Sequence, residues 1–131
     1  MFENKISFTY KDDASAQITG TVTTSSEGSL RDDVLVAPVT TNLEVDIDFV
    51  AARVKSIFMM SDKDLTLKTN NTTTPGNTIN LKAGVPILFA TVGFGVNPFT
   101  VDVTSIFLTN AAIAGTASAN FQIRIGYDPT V

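Results

Sequence analysis

Cysteine, histidine and tryptophan are all missing from the 131 residues, and each absence removes a class of chemistry. Without cysteine the chain can form no disulfide and no thiolate-ligated metal site. Its stability then rests on burial or on oligomerisation, and its redox compartment leaves no mark. Without histidine as well, a Ser-His-Asp triad, a Cys-His pair, a His proton shuttle and a zinc site of the usual N/S type are excluded. Sugar-binding platforms rely on exposed Trp and Tyr, and here only Tyr10 and Tyr127 remain. Charge is also scarce, at 17% of residues, with a net charge of −4 and a pI near 4.5. That balance works against a nucleic-acid partner, which takes clustered Lys and Arg to displace counterions from phosphates. The opening MFENKISFTYKDD has no continuous apolar run, so it does not read as a Sec-type signal. No apolar run reaches the ~18 residues of a membrane-spanning helix. The chain is expected to be soluble and unexported, with no membrane partner.

What is present suits β-structure. Hydrophobic residues make up 44% of the chain, with Thr, Val and Ile prominent, and no segment holds a helical period. The length suits one domain with a real core. The organising stretch is Val54 to Thr69, VKSIFMMSDKDLTLKT, which reads as two strands joined by a polar turn at Ser61-Asp62-Lys63. Its Ile57 to Met60 end is apolar on both faces, as a central buried strand requires. Leu65 and Leu67 alternate with Thr66 and Lys68, giving one wet face.

Further strands are expected at Lys5 to Tyr10, Gln17 to Thr24, Asn42 to Val50, Thr78 to Leu81, Ile87 to Val92, Val103 to Thr109 and Phe121 to Tyr127. Gly20, inside the second of these, suggests a bulge or a close approach. Ser25 to Asp33 and Asn70 to Asn77 read as loops. Pro38 interrupts the Val34 to Val39 run and argues for an edge position or an extended arm. Ala51-Ala52-Arg53 fits either a helical turn or a tight connection. About nine short strands at near-regular spacing predict an all-β, single-domain sandwich or barrel.

The remaining candidates for chemistry are carboxylates and loop aromatics. Glu44, Asp46 and Asp48 alternate with Leu43, Val45, Ile47 and Phe49, so they project from one strand face about 6.5 to 7 Å apart. That is near the spacing of two glycosidase carboxylates, but a general acid needs apolar surroundings and an open acidic face offers none. A solvated face is the plain reading, and an anionic patch for a basic partner or a divalent ion is the other. Asp62-Lys63-Asp64 lacks the ligand pattern of a calcium loop, and Gly93-Phe94-Gly95 lacks the rest of a dinucleotide fingerprint. We therefore expect no enzyme activity, no catalytic residues, no cofactor and no metal. The loop Gly93 to Phe99 carries Phe94, Val96 and Phe99, which either cap the core or form an apolar contact surface.

The phrases VKSIFMMSDKDLTLKTN, INLKAGVPILF, NPFTVDVTSIFLTN and FQIRIGYDPT resemble the small jelly-roll decoration, or cement, proteins of tailed-bacteriophage capsids. The resemblance runs from about Leu43 to Thr130 and leaves Met1 to Thr41 unplaced. It implies a jelly roll of about eight strands, a homotrimer, and a structural role on the virion. Made in the host cytoplasm, such a protein would bind the capsid exterior and clamp neighbouring major capsid subunits. On this reading residues 42–131 are the remainder of a jelly-roll domain whose first 41 residues supply strands and a possible arm. Met1, Phe2, Ile6 and Phe8 are candidate contacts for such an arm, adding a strand to a neighbour's sheet edge. Phe94, Val96 and Phe99 are candidates for a second, apolar foothold, and Glu44, Asp46 and Asp48 for a polar one. A non-catalytic carbohydrate-binding module is the alternative of another class.

Overall fold

The computed structural model describes residues 1–14 and 16–128; Pro129 and Thr130, the end of the FQIRIGYDPT phrase, lie outside them. Among the described residues ten strands form in chain order. They are β1 (Phe2–Tyr10), β2 (Ile18–Ser26), β3 (Gly28–Val36), β4 (Thr40–Val45) and β5 (Val54–Ser61), then β6 (Leu65–Thr69), β7 (Thr78–Leu81), β8 (Ile87–Ala90), β9 (Ile106–Asn110) and β10 (Ala119–Tyr127). A 3-10 turn over Ala51–Arg53 leads into β5.

Eight of the strands make two four-stranded sheets, ordered β3-β10-β5-β8 and β4-β9-β6-β7, with antiparallel neighbours throughout. The chain changes sheet at nearly every connection, which is the arrangement of two Greek keys in a jelly-roll sandwich. The Ser61-Asp62-Lys63 turn is one such switch: β5 and β6 are consecutive in sequence but lie in opposite sheets. Asp62 secures it by accepting the Asn120 N–H at 2.7 Å.

The core lies between the sheets. On β10, Phe121, Ile123 and Ile125 face inward, and they meet Leu67 and Leu108 of the second sheet in one buried cluster. Each such side chain is worth about 1.5–3 kcal/mol relative to an exposed one. Strict alternation would turn Lys55 inward with Ile57. The register instead steps from Ser56 opposite Gly126 to Val54 opposite Tyr127. This bulge leaves Lys55 as the extra residue and seats Val54 in the core.

One polar residue ties the sheets together inside the core. The Asn110 amide donates to the Val36 carbonyl at 3.0 Å, and its oxygen accepts the Ala112 N–H at 3.1 Å. Asn110→Ala strands both backbone groups and is expected to lower stability by about 1–3 kcal/mol. Urea denaturation with an unchanged m-value would measure that loss, and a loss below 0.5 kcal/mol on the same scale (roughly the size of a neutral surface change) would contradict it.

Several boundaries differ from the sequence reading. Ser25 to Asp33 is strand, forming the end of β2 and most of β3, where a loop was expected. Ser29, Arg31, Asp33 and Leu35 point outward and hide the inward set Leu30, Val34 and Val36. Pro38 lies in the turn that carries the chain from β3 to β4, outside both strands, so it interrupts no ladder. The Asn42 to Val50 strand stops at Val45. Asn42 has a φ of 54°, and the β4–β9 register shifts between Thr40 and Leu43. Beyond it only Phe49 keeps a bridge, to Val103. Gly20 sits in an unbroken β1–β2 register, so it marks a close approach and no bulge. A Cβ there would lie 2.4 Å from Cζ of Phe8, whose ring covers it.

Candidate interaction surface

The remaining two strands form a hairpin outside the sandwich. β1 and β2 pair from Phe2 opposite Ser26 to Tyr10 opposite Ile18. The hairpin lies across the outer face of the first sheet, starting near β3 and ending beyond β8. Its base is polar. The Asn4 amide donates to Ser26 Oγ at 3.1 Å, and Ser26 Oγ donates to the Gly28 carbonyl at 3.0 Å. Asp128 accepts the Glu27 N–H at 3.1 Å and pairs with Lys55 at 3.6 Å. At the far end the Phe8 and Phe94 rings stand 5.7 Å apart at 30°.

Gly126 explains how the hairpin fits so close to the sheet. Its missing side chain leaves room for a polar cluster directly above β10. A Cβ would meet Asn4 Nδ2 at 2.4 Å, Ser26 Oγ at 2.8 Å and Ser56 Oγ at 2.8 Å. Beside this point Thr24 Oγ1 is buried with no hydrogen-bond partner among the described residues. A polar, incompletely satisfied contact of this kind holds an element in place without gaining much from doing so.

Alongside the hairpin runs a groove of about 620 Å³. One wall is β1 itself, contributing consecutive residues from Phe2 to Ser7, so its unpaired backbone edge faces the groove. The floor is one cross-strand row of the first sheet, Arg31–Arg124–Phe58–Leu88, each residue opposite the next in register. Arg124 is held by Asp33 at 2.9 Å and by the carbonyls of Asp32 and Ile123. The Arg31 guanidinium makes no ion pair or hydrogen bond among the described residues.

The structure separates the residues singled out from the sequence. Met1 and Phe2 are exposed at the start of the hairpin, and Val96 is 82% exposed in the loop after β8. Ile6 and Phe8 face this chain's own sheet, one lining the groove and the other resting against Phe94. The arm is therefore folded back on its own sandwich, with Ile6 half-buried and Phe8 still 41% exposed. Phe99 is a correction. It is 3% exposed and meets Phe49 edge-on at 5.1 Å, as a plug at the end of the core. Asn97 bends the loop inward to place it, accepting the Phe99 N–H at 2.9 Å.

Glu44 lies on the outer face of the second sheet, across the sandwich from the hairpin, and Asp46 and Asp48 follow it, exposed. Among the described residues no three carboxylates converge in a way that would hold a metal ion. Nor is any helix among them long and apolar enough to cross a membrane. The Arg31–Phe58 row is not legible in the sequence, because Arg31 lies in the polar segment Ser25 to Asp33 that reads as a loop. Arg124 alternates with Ile123 and Ile125, which marks it alone of the two arginines as an outward position in the sequence.

The fold and surface thus define an all-β jelly-roll sandwich with an added N-terminal hairpin. No protein-family model matches the chain, and no curated protein matches it. A solved structure described as "Bacillus endospore appendages form a novel family of disulfide-linked pili" is similar over 78% of this chain and 89% of that chain. The identity is 18% and the TM-score 0.40, a likeness that carries no functional argument.

Proposed function

We propose that this chain is a non-catalytic structural protein that binds the outer surface of a tailed-phage capsid as a homotrimer and stabilises contacts between major capsid subunits. The observation that carries this reading is the eight-strand order of the sandwich, which agrees with the jelly roll implied by the resemblance. The surface is consistent with it. The hairpin adds an open strand edge to the outside of the molecule, and Met1, Val92 and Val96 are 84%, 64% and 82% exposed. Apolar groups left exposed on the surface of a small domain are the kind that oligomers and lattice contacts cover.

The reading is tested by mixing purified chain with heads of the phage whose genome encodes it, after those heads have been stripped of accessory proteins, and sedimenting them. Saturable co-sedimentation is expected. Absence of the chain from the pellet, together with selective binding on a glycan array, would replace the capsid role with carbohydrate recognition. Light scattering is expected to give three times the 13.9 kDa chain mass at micromolar concentration, and a monomer with and without heads would contradict the trimer.

A further inference from the structure

Two features of the groove point to the same kind of occupant. The edge of β1 that faces it offers main-chain donors and acceptors with no strand beside them. Such an edge is a template for one more strand, lying about 4.8 Å from β1. That position is directly above the Arg31–Arg124–Phe58–Leu88 row, so the added strand's inward side chains would touch the floor.

The floor is divided by charge. Arg31 and Arg124 are directly opposite one another in register, and like charges so placed repel. Asp33 pairs with Arg124, which leaves the exposed Arg31 guanidinium as the arginine of this pair without a carboxylate partner among the described residues. Phe58 and Leu88 make the β8 end apolar. Four strands at about 4.8 Å put Arg31 about 14 Å from Leu88, and two same-face steps along a strand cover about 13.6 Å.

We propose that this groove binds an extended peptide segment of a partner chain by strand addition to β1. The segment carries an Asp or Glu above Arg31 and a Val, Ile or Leu four residues away above Leu88. Its backbone pairs with β1, its carboxylate takes the free guanidinium, and its apolar residue covers the Phe58–Leu88 end. This goes beyond the capsid reading and does not need it, since the recognition is written in the peptide alone.

The test uses the full chain and dye-labelled nine-residue peptides in which Thr alternates with Asp, Val and Leu, in that order and in reverse, because the strand can add in either direction. Fluorescence anisotropy is expected to show saturable binding for one order. Replacing the peptide's Asp by Asn, or using Arg31→Gln, should weaken it about tenfold. Arg31 is exposed and outside the core, so that variant is expected to fold, and circular dichroism checks it. Peptides N-methylated at alternate residues separate the backbone contribution, and one of the two methylation patterns should abolish binding. The proposal is overturned if neither order binds at millimolar peptide, if Arg31→Gln binds equally well, or if both N-methylated peptides bind like the parent. No capsid is present, so these outcomes are independent of co-sedimentation with heads.

Discussion

Phe99→Ala is expected to lower the unfolding free energy by about 3–5 kcal/mol, the range for emptying a fully enclosed aromatic site. Phe94→Ala, five residues earlier in the same loop, is expected to cost about 1 kcal/mol, close to the worth of one aromatic pair. Phe99 closes the end of the core against Phe49, whereas Phe94 touches Phe8 on the outside of the sandwich. In thermal unfolding the first change should lower Tm by on the order of 10–20 °C, and the second by a few degrees. Equal effects from the two substitutions would mean that the loop is not divided between core and surface in this way.

Gly126→Val is expected to lift the N-terminal hairpin while the sandwich stays folded. A β-branched side chain at this position would occupy the space of the Asn4, Ser26 and Ser56 polar groups. The core face of β10, with Ile123 and Ile125, is on the other side of the sheet and keeps its contacts. Overpacking of this kind costs about 1–3 kcal/mol. The hairpin can relieve it by undocking, because its base is polar and Thr24 Oγ1 gains nothing from burial there. An undocked two-stranded hairpin is marginal in water. Hydrogen exchange of β1 and β2 amides should therefore rise by about 10- to 100-fold, with β5 and β10 unchanged. Uniform loss of protection across all strands would show that the hairpin and sandwich unfold as one unit.

The sandwich was legible where a strand has one wet face and one dry one. Phe121, Ile123 and Ile125 against Gln122 and Arg124 gave β10 its position and orientation, and Leu65 and Leu67 did the same for β6. The central placement of β5 followed from apolar residues on both faces, since Phe58 and Met60 are half-buried on the outer side. β3 was hidden because its period-2 pattern is carried by only a few residues beneath an outer face of Ser, Arg and Asp. Composition in that segment outweighed alternation.

The surface was less legible, for a different reason. Alternation in β1 shows that Ile6 and Phe8 share a face, but it does not say whether that face meets another molecule or the chain's own sheet. The register that sets Asn4 over Gly126 is a tertiary fact, and it is why the expected arm is a docked hairpin. Phe94 and Phe99 are equally apolar in sequence, and only the inward bend at Asn97 distinguishes them.

The structural role is tested most directly by quantitative mass spectrometry of purified particles produced from the genome that encodes this chain. The proposed role predicts that the chain is present in a fixed ratio to the major capsid protein, is accessible to surface labelling on intact heads, and is released without rupture of the shell. Particles that assemble and purify with the chain expressed in the same cells yet absent from them would contradict it.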